Sequence, residues 1–157
     1  MHLSSRTDIE APIEFVYARL SDFDGWERAA MRRGAEVART DKLRSPGPGM
    51  GWTIRFRFRG KQRDVVVNLT ALDPGARLAF FGQGQMLNGN LGVELMALAP
   101  KRTRLVLHAE VKPLTIGARL LLQSLRLAKA RVQTKLNARL AQTATDLEAR
   151  YAATARR

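Results

Sequence analysis

Between Thr115 and Tyr151 the chain carries a single glycine, Gly117, and no proline, so nothing there interrupts helical hydrogen bonding. Pro113 stops the segment before it, and the Thr115 hydroxyl can accept from the first unpaired amides. Leu121, Leu125, Ala128, Val132, Leu136, Leu140, Thr143, Leu147 and Tyr151 recur at steps of three and four, which gathers them into one slowly drifting apolar seam. The expected element is one long helix over about 115–152, roughly 55 Å if straight. A rod of that length outruns a small domain, so it should bend near Gln133-Thr134-Lys135 or project at its end. Its seam must be covered, and the rest of the chain has to supply the cover.

At 157 residues and 45% hydrophobic, the chain has the size of one domain over 1–157 and enough apolar material for a core, solid or hollow. It has no cysteine, which excludes disulfides, thiolate metal sites and a thiol nucleophile, and its two histidines cannot build a zinc site unaided. The sequence calls for no cofactor and no metal. Met1-His2-Leu3-Ser4-Ser5-Arg6 lacks the apolar run of a secretory signal, and no window reaches the roughly 20 apolar residues of a membrane span. A soluble, cytoplasmic protein is expected. With 27 Lys and Arg against 14 Asp and Glu, the net charge is +13, and anionic lipid surfaces and nucleic acid are the polyanions to weigh. Strand alternation in Arg55-Phe56-Arg57-Phe58-Arg59 sets its phenylalanines opposite its arginines, and no recognition motif accompanies it, which argues against nucleic acid.

Taken in order, Leu3 to Ile9 alternates as a first strand. Ala11-Pro12 opens a short helix with Ile13, Val16, Tyr17 and Leu20 on its buried stripe, and a second runs from Ser21 or Asp22 to Arg32-Arg33-Gly34 with Phe23, Trp26, Ala30 and Met31 inward. Then only strand patterns follow. They cover Glu36 to Thr40, Met50 to Arg59, Arg63 to Leu72, Arg77 to Gly82, Leu91 to Ala97 and Leu105 to Val111, separated by Ser45-Pro46-Gly47-Pro48-Gly49, Gly60-Lys61, Asp73-Pro74-Gly75, Asn88-Gly89 and Pro100-Lys101. Uninterrupted hairpins imply an antiparallel meander, curved because glycines recur in it. Its one apolar face needs a cover, and the terminal helix is the only element long enough.

That order, with Ile9-Glu10-Ala11-Pro12-Ile13-Glu14-Phe15-Val16 and Leu20-Ser21-Asp22-Phe23-Asp24-Gly25-Trp26-Glu27, resembles the START-like superfamily, also called SRPBCC, in its polyketide cyclase/dehydrase-like branch. The resemblance spans nearly the whole chain. It implies an α+β helix-grip fold, a curved antiparallel sheet of about seven strands wrapped around a long C-terminal helix with two short helices after the first strand. It also implies an apolar cavity for lipids, sterols, quinones, polyketides or hormones, in a family where many members have no known catalysis.

The candidate cavity residues are Trp52, Ile54, Phe56 and Phe58 from the sheet, Leu121, Leu125 and Val132 from the helix, and Trp26 near an entrance. Each could equally be solid core. Ser45 to Gly49 is a candidate lid, or only a connector. Hairpin pairing about Lys101 sets His108 across from Glu94 on the solvent side; a His-Glu general base would require both strands to reverse their faces. Tyr17 and Arg63 are the other polar groups that could point inward, and the Val65-Val66-Val67 run leaves the parity of Arg63 open. Ile116, Leu120 and Leu127 form a second apolar strip beside Arg119, Arg126, Arg131 and Lys135, which suits a homodimer contact, a foot on anionic lipid, or ordinary exposed leucines. The leading expectation is a non-catalytic binder or transporter of a hydrophobic small molecule such as a lipid, quinone or polyketide-like compound. The alternatives are a polyketide cyclase or dehydratase-type enzyme, and a basic module docking on anionic membrane or ribosome.

Overall fold

The computed structural model describes residues 1–156. Its elements are β1 (His2–Ile9), α1 (Ile13–Leu20), α2 (Phe23–Arg32), β2 (Glu36–Arg39), β3 (Gly51–Phe58), β4 (Lys61–Asp73), β5 (Arg77–Gln83), β6 (Leu87–Ala99), β7 (Arg102–Pro113), α3 (Ile116–Leu127) and α4 (Lys129–Ala155). The seven strands form one antiparallel sheet in the order β1-β7-β6-β5-β4-β3-β2. Each strand from β2 to β7 pairs with its neighbour in sequence, and β1 closes the far edge against β7. This is the helix-grip architecture.

Local chemistry explains most boundaries. Asp22 caps α2 by accepting from the Gly25 amide at 3.1 Å, and Thr115 caps α3 by accepting from the Ala118 amide at 3.1 Å. Arg59 and Gly60 both take positive φ, 53° and 75°, the conformation of a two-residue hairpin whose twist matches the strands it joins. Asn88-Gly89, expected as a turn, lies inside β6 instead. The chain reverses at Gly84-Gln85-Met86, where the Gly84 amide donates to the Leu87 carbonyl at 2.9 Å. Extending the ladder through Gln83↔Asn88 and Gly82↔Gly89 keeps Leu91 and Val93 in register with Phe80 and Leu78, and that apolar register outweighs the local turn preference.

The helical last quarter is two helices. At Ala128 the backbone leaves helical geometry (φ −102°, ψ 19°), not at Gln133-Thr134-Lys135. A single rod over the same residues would reach about 60 Å, beyond the roughly 43 Å of a 13-residue strand such as β6. Breaking lets α3 lean on the end of β7 through Ala118 and Leu122, while α4 packs separately. Along β1, α4 is held by the buried Ser5 hydroxyl donating to Asn137 Oδ1 at 2.7 Å, by Gln133 Nε2 donating to the Ser4 carbonyl at 2.7 Å, and by Glu148 accepting from the Glu10 amide at 3.0 Å. It therefore lies over one edge of the sheet.

The core is accordingly split. One cluster joins Ile9, Val16, Val93 and Leu105 to Leu140, Ala144 and Leu147 of α4; Thr103, fully buried beside it, donates its hydroxyl to the Ala11 carbonyl at 2.8 Å. The other joins Phe23 of α2 to Met50, Trp52, Leu69 and Leu78.

Candidate functional site

The concave face between these two clusters borders a cavity of about 660 Å³. Its sheet wall is built in cross-strand rows. Val67, Gly82, Gly89 and Val111 stand in register across β4 to β7, and all four line it. The next row brings Phe80, Leu91 and Ala109, and the one after it Leu78, Val93 and Leu107. Opposite them are Leu20, Phe23, Trp26 and Ala30 from the short helices and Leu140 and Thr143 from α4, with Val37, Trp52 and Ile54 completing the side towards β2. The hollow has a sequence cause. Two facing glycines put no side chain between Val67 and Val111 in the first of these rows, and a Cβ at Gly82 would find its nearest neighbour, Val65 Cγ1, only at 3.9 Å.

The Trp52 side of the wall is held rigidly. Its indole N–H donates to Glu27 Oε1 at 2.7 Å, its ring tilts against Phe23 with centroids 5.5 Å apart, and the Arg39 guanidinium stacks over it at 5.8 Å. Arg39 is fixed in turn by Asp41. The hydrogen bond from Arg39, then those from the Gly51 and Leu43 amides, hold the Asp41 carboxyl well below its ordinary 3.8. Burial, then the charge of Asp73, pushes the Tyr17 hydroxyl upward, but Tyr17 packs within both core clusters and does not line the cavity.

Ionisable residues are scarce in this wall. Among the described residues that line it, only Glu27 and Glu110 carry a charge, and the Glu110 carboxylate turns to the convex face, 3.7 Å from His2 and 3.6 Å from Lys112. His108 is exposed on that convex face opposite Gly92, and Glu94 stands opposite Val106, so the two are not cross-strand partners. An irregularity between Ala97 and Ala99 shifts the register expected from the Lys101 turn.

Of the residues that the sequence singles out, Trp26, Trp52 and Ile54 line the cavity. Trp52 is buried, whereas Trp26 is 53% exposed at the rim and donates its indole N–H to the Leu20 carbonyl at 3.0 Å. The inward side of α2 carries Phe23, Glu27 and Ala30, so Trp26 and Met31, expected inward, stand at or outside the edge. Phe56 and Phe58 fall outside the lining, because the cavity ends near Ile54. Phe56 is half-buried one step further along β3, and Phe58, 55% exposed beside the hairpin turn, stacks with Arg59. Leu121, Leu125 and Val132 also fall outside it, since the helix breaks at Ala128 and α4 follows β1. The Ser45 to Gly49 loop contributes nothing to the wall. Arg63 takes the inward parity of Val65 and Val67, with Nη1 3.7 Å from the Met86 sulfur and a buried Nε that has no protein partner. Sequence reasoning passed over Phe80, Leu91, Ala109 and the two glycines as cavity residues; the alternation of β5, β6 and β7 carried the signal for the first three, and reading Asn88-Gly89 as a turn hid the pairing of Gly82 with Gly89.

A family model described as polyketide cyclase/dehydrase and lipid transport matches residues 1–148. The chain belongs to that family. Among solved structures, it is similar to the Zhui aromatase/cyclase from Streptomyces sp. R1128, at 17% identity and a TM-score of 0.68 over 96% of this chain and 94% of that one. A protein from Thermus thermophilus aligns with a TM-score of 0.65 at 18% identity, covering 98% of this chain and 99% of the other. A START superfamily protein from Mycobacterium smegmatis aligns with a TM-score of 0.57 at 16% identity, over 90% and 98% of the two chains. At these identities the likeness shows a shared fold. No curated protein matches the sequence. No helix among the described residues is long and apolar enough to cross a membrane.

Proposed function

We propose that this protein binds and carries a hydrophobic small molecule in the cavity beneath α2, without transforming it. The observation that carries this reading is the wall itself: rows of aliphatic and aromatic side chains around about 660 Å³, a volume within the roughly 300–1,000 Å³ usual for small-molecule sites. Family membership supports it, since the family's description includes lipid transport. Trp52 and Ile54 contact the cargo along one side and Trp26 at the rim. Glu27 offers the only carboxylate turned to this space among the described residues, already bonded to Trp52. It can orient a hydroxyl or amine of the cargo. A cyclase or dehydratase needs an acid and a base in reach of one substrate, and one carboxylate does not make such a pair.

The test extracts purified protein into organic solvent, analyses the extract by mass spectrometry, and compares binding of anilinonaphthalene sulfonate by the native protein and Gly82→Phe. Position 82 has space for a side chain and faces the hollow. The expected result is a lipophilic compound in the native extract and dye affinity lowered about tenfold or more in the variant, the equivalent of about 1.4 kcal/mol of lost contact. An empty extract together with equal dye binding by both proteins overturns the reading.

A further inference from the structure

Helix α3 is apolar on two sides, and only one of them is covered. Ala118 and Leu122 are buried against the rest of the protein. On the opposite side Ile116, Leu120 and Leu127, 79%, 60% and 93% exposed, fall within about 40° of one another on a helical wheel. A helix that is apolar on both faces is normally buried on both, so the outer strip lacks a partner. Leu114, also exposed, extends it towards Met86, whose carbonyl accepts from the Leu114 amide at 2.8 Å.

Charge indicates the nature of that partner. From Val111 to Thr145 the sequence has no Asp or Glu and seven Lys or Arg. Arg119 and Arg126 flank the strip on one side, about 80–100° from its middle. Lys129 and Arg131 follow at the start of α4, and among the described residues none of these four makes an ion pair. All four are exposed. Apolar side chains flanked by unpaired cations match a surface that is oily beneath a negatively charged layer. Two copies of this face would bring their cations together, which disfavours self-association through it.

We infer that α3 seats this protein on an anionic phospholipid bilayer, with Ile116, Leu120 and Leu127 entering the acyl boundary and Arg119, Arg126, Lys129 and Arg131 meeting the headgroups. The helix follows directly from the strand end that carries Val111, a cavity-lining residue, so the seated face adjoins one end of the cavity. The inference stands apart from the cargo reading, because an empty protein would still bind the bilayer.

The test is cosedimentation of the full chain with vesicles of phosphatidylcholine alone and of phosphatidylcholine containing about one-third phosphatidylglycerol. It is repeated with Leu127→Asp and Ile116→Asp, with thermal midpoint and anilinonaphthalene sulfonate binding measured on each. The expected result is binding to the anionic vesicles only, weakened about tenfold or more by roughly 0.5 M salt. Each substitution should cost about tenfold or more in vesicle affinity, with midpoint and dye binding unchanged. No binding at low salt overturns the inference, and so does vesicle binding that both substitutions leave intact. Equal, substitution-insensitive binding to RNA would assign the charge to a general polyanion surface instead. A dimer that Leu127→Asp dissolves would assign the strip to a second copy. Loss of dye binding in the native protein alone bears on the cargo reading and leaves this one in place.

Discussion

Helices α3 and α4 come from one run of amphipathic sequence, yet they end in opposite environments. In α4, Leu140, Ala144 and Leu147 are buried against Ile9, Val16 and Leu105, and Asn137 meets the buried Ser5 hydroxyl across the interface. In α3 the two buried residues are Ala118 and Leu122, while the largest side chains face solvent. The helix left open is the richer in leucine, five in 12 residues of α3 against three in 27 of α4. What separates them is how much of another element lies within reach: α4 runs along β1 and touches α1, whereas among the described residues α3 meets just the end of β7 and the adjoining part of α4. Apolar periodicity therefore marks a surface that wants cover, and the fold decides whether the protein or a partner provides it.

The contrast predicts a graded set of stability effects, measurable by urea denaturation. Leu147→Ala should cost most, about 2–5 kcal/mol, because it opens a cavity in a cluster packed on all sides. Asn137→Ala should cost about 1–3 kcal/mol by leaving the Ser5 hydroxyl without its acceptor, although Asn137 itself is an exposed residue. Leu127→Ala should change stability by no more than about 0.5 kcal/mol, as expected at a surface position with nothing packed on it. A large loss at Leu127 would mean that α3 is part of the core, and would erase the contrast. A loss at Leu147 as small as that at Leu127 would mean that α4 is not fastened to β1 as described.

The same distinction separates what was readable along the chain from what was not. The first strand, the two short helices, the meander and the Thr115 cap were legible, because each depends on residues within a few positions of one another, as Thr115 with Ala118; the start of α2 stayed open between Ser21 and Asp22, and the structure gives the cap to Asp22. Inward parity was legible too for Trp52 and Ile54, which alternate cleanly. It was ambiguous at Val65 to Val67, where three valines in a row fit either face, and the sheet settles it by burying Leu69 on the same side. The cavity was harder. Phe56 and Phe58 share a face with Ile54 but lie past the cavity's end, and alternation reports the face without the distance along it.

Sequence by itself determined the order of elements, the antiparallel meander and the presence of an apolar seam in the last quarter, since these follow from hydrogen-bonding geometry and local side-chain spacing. Only the tertiary structure decided that the seam breaks at Ala128, that α4 follows the β1 edge, and that Gly82 faces Gly89 in the wall of a hollow. Each of these depends on contacts between residues far apart in the chain, where register and reach, not periodicity, select the outcome.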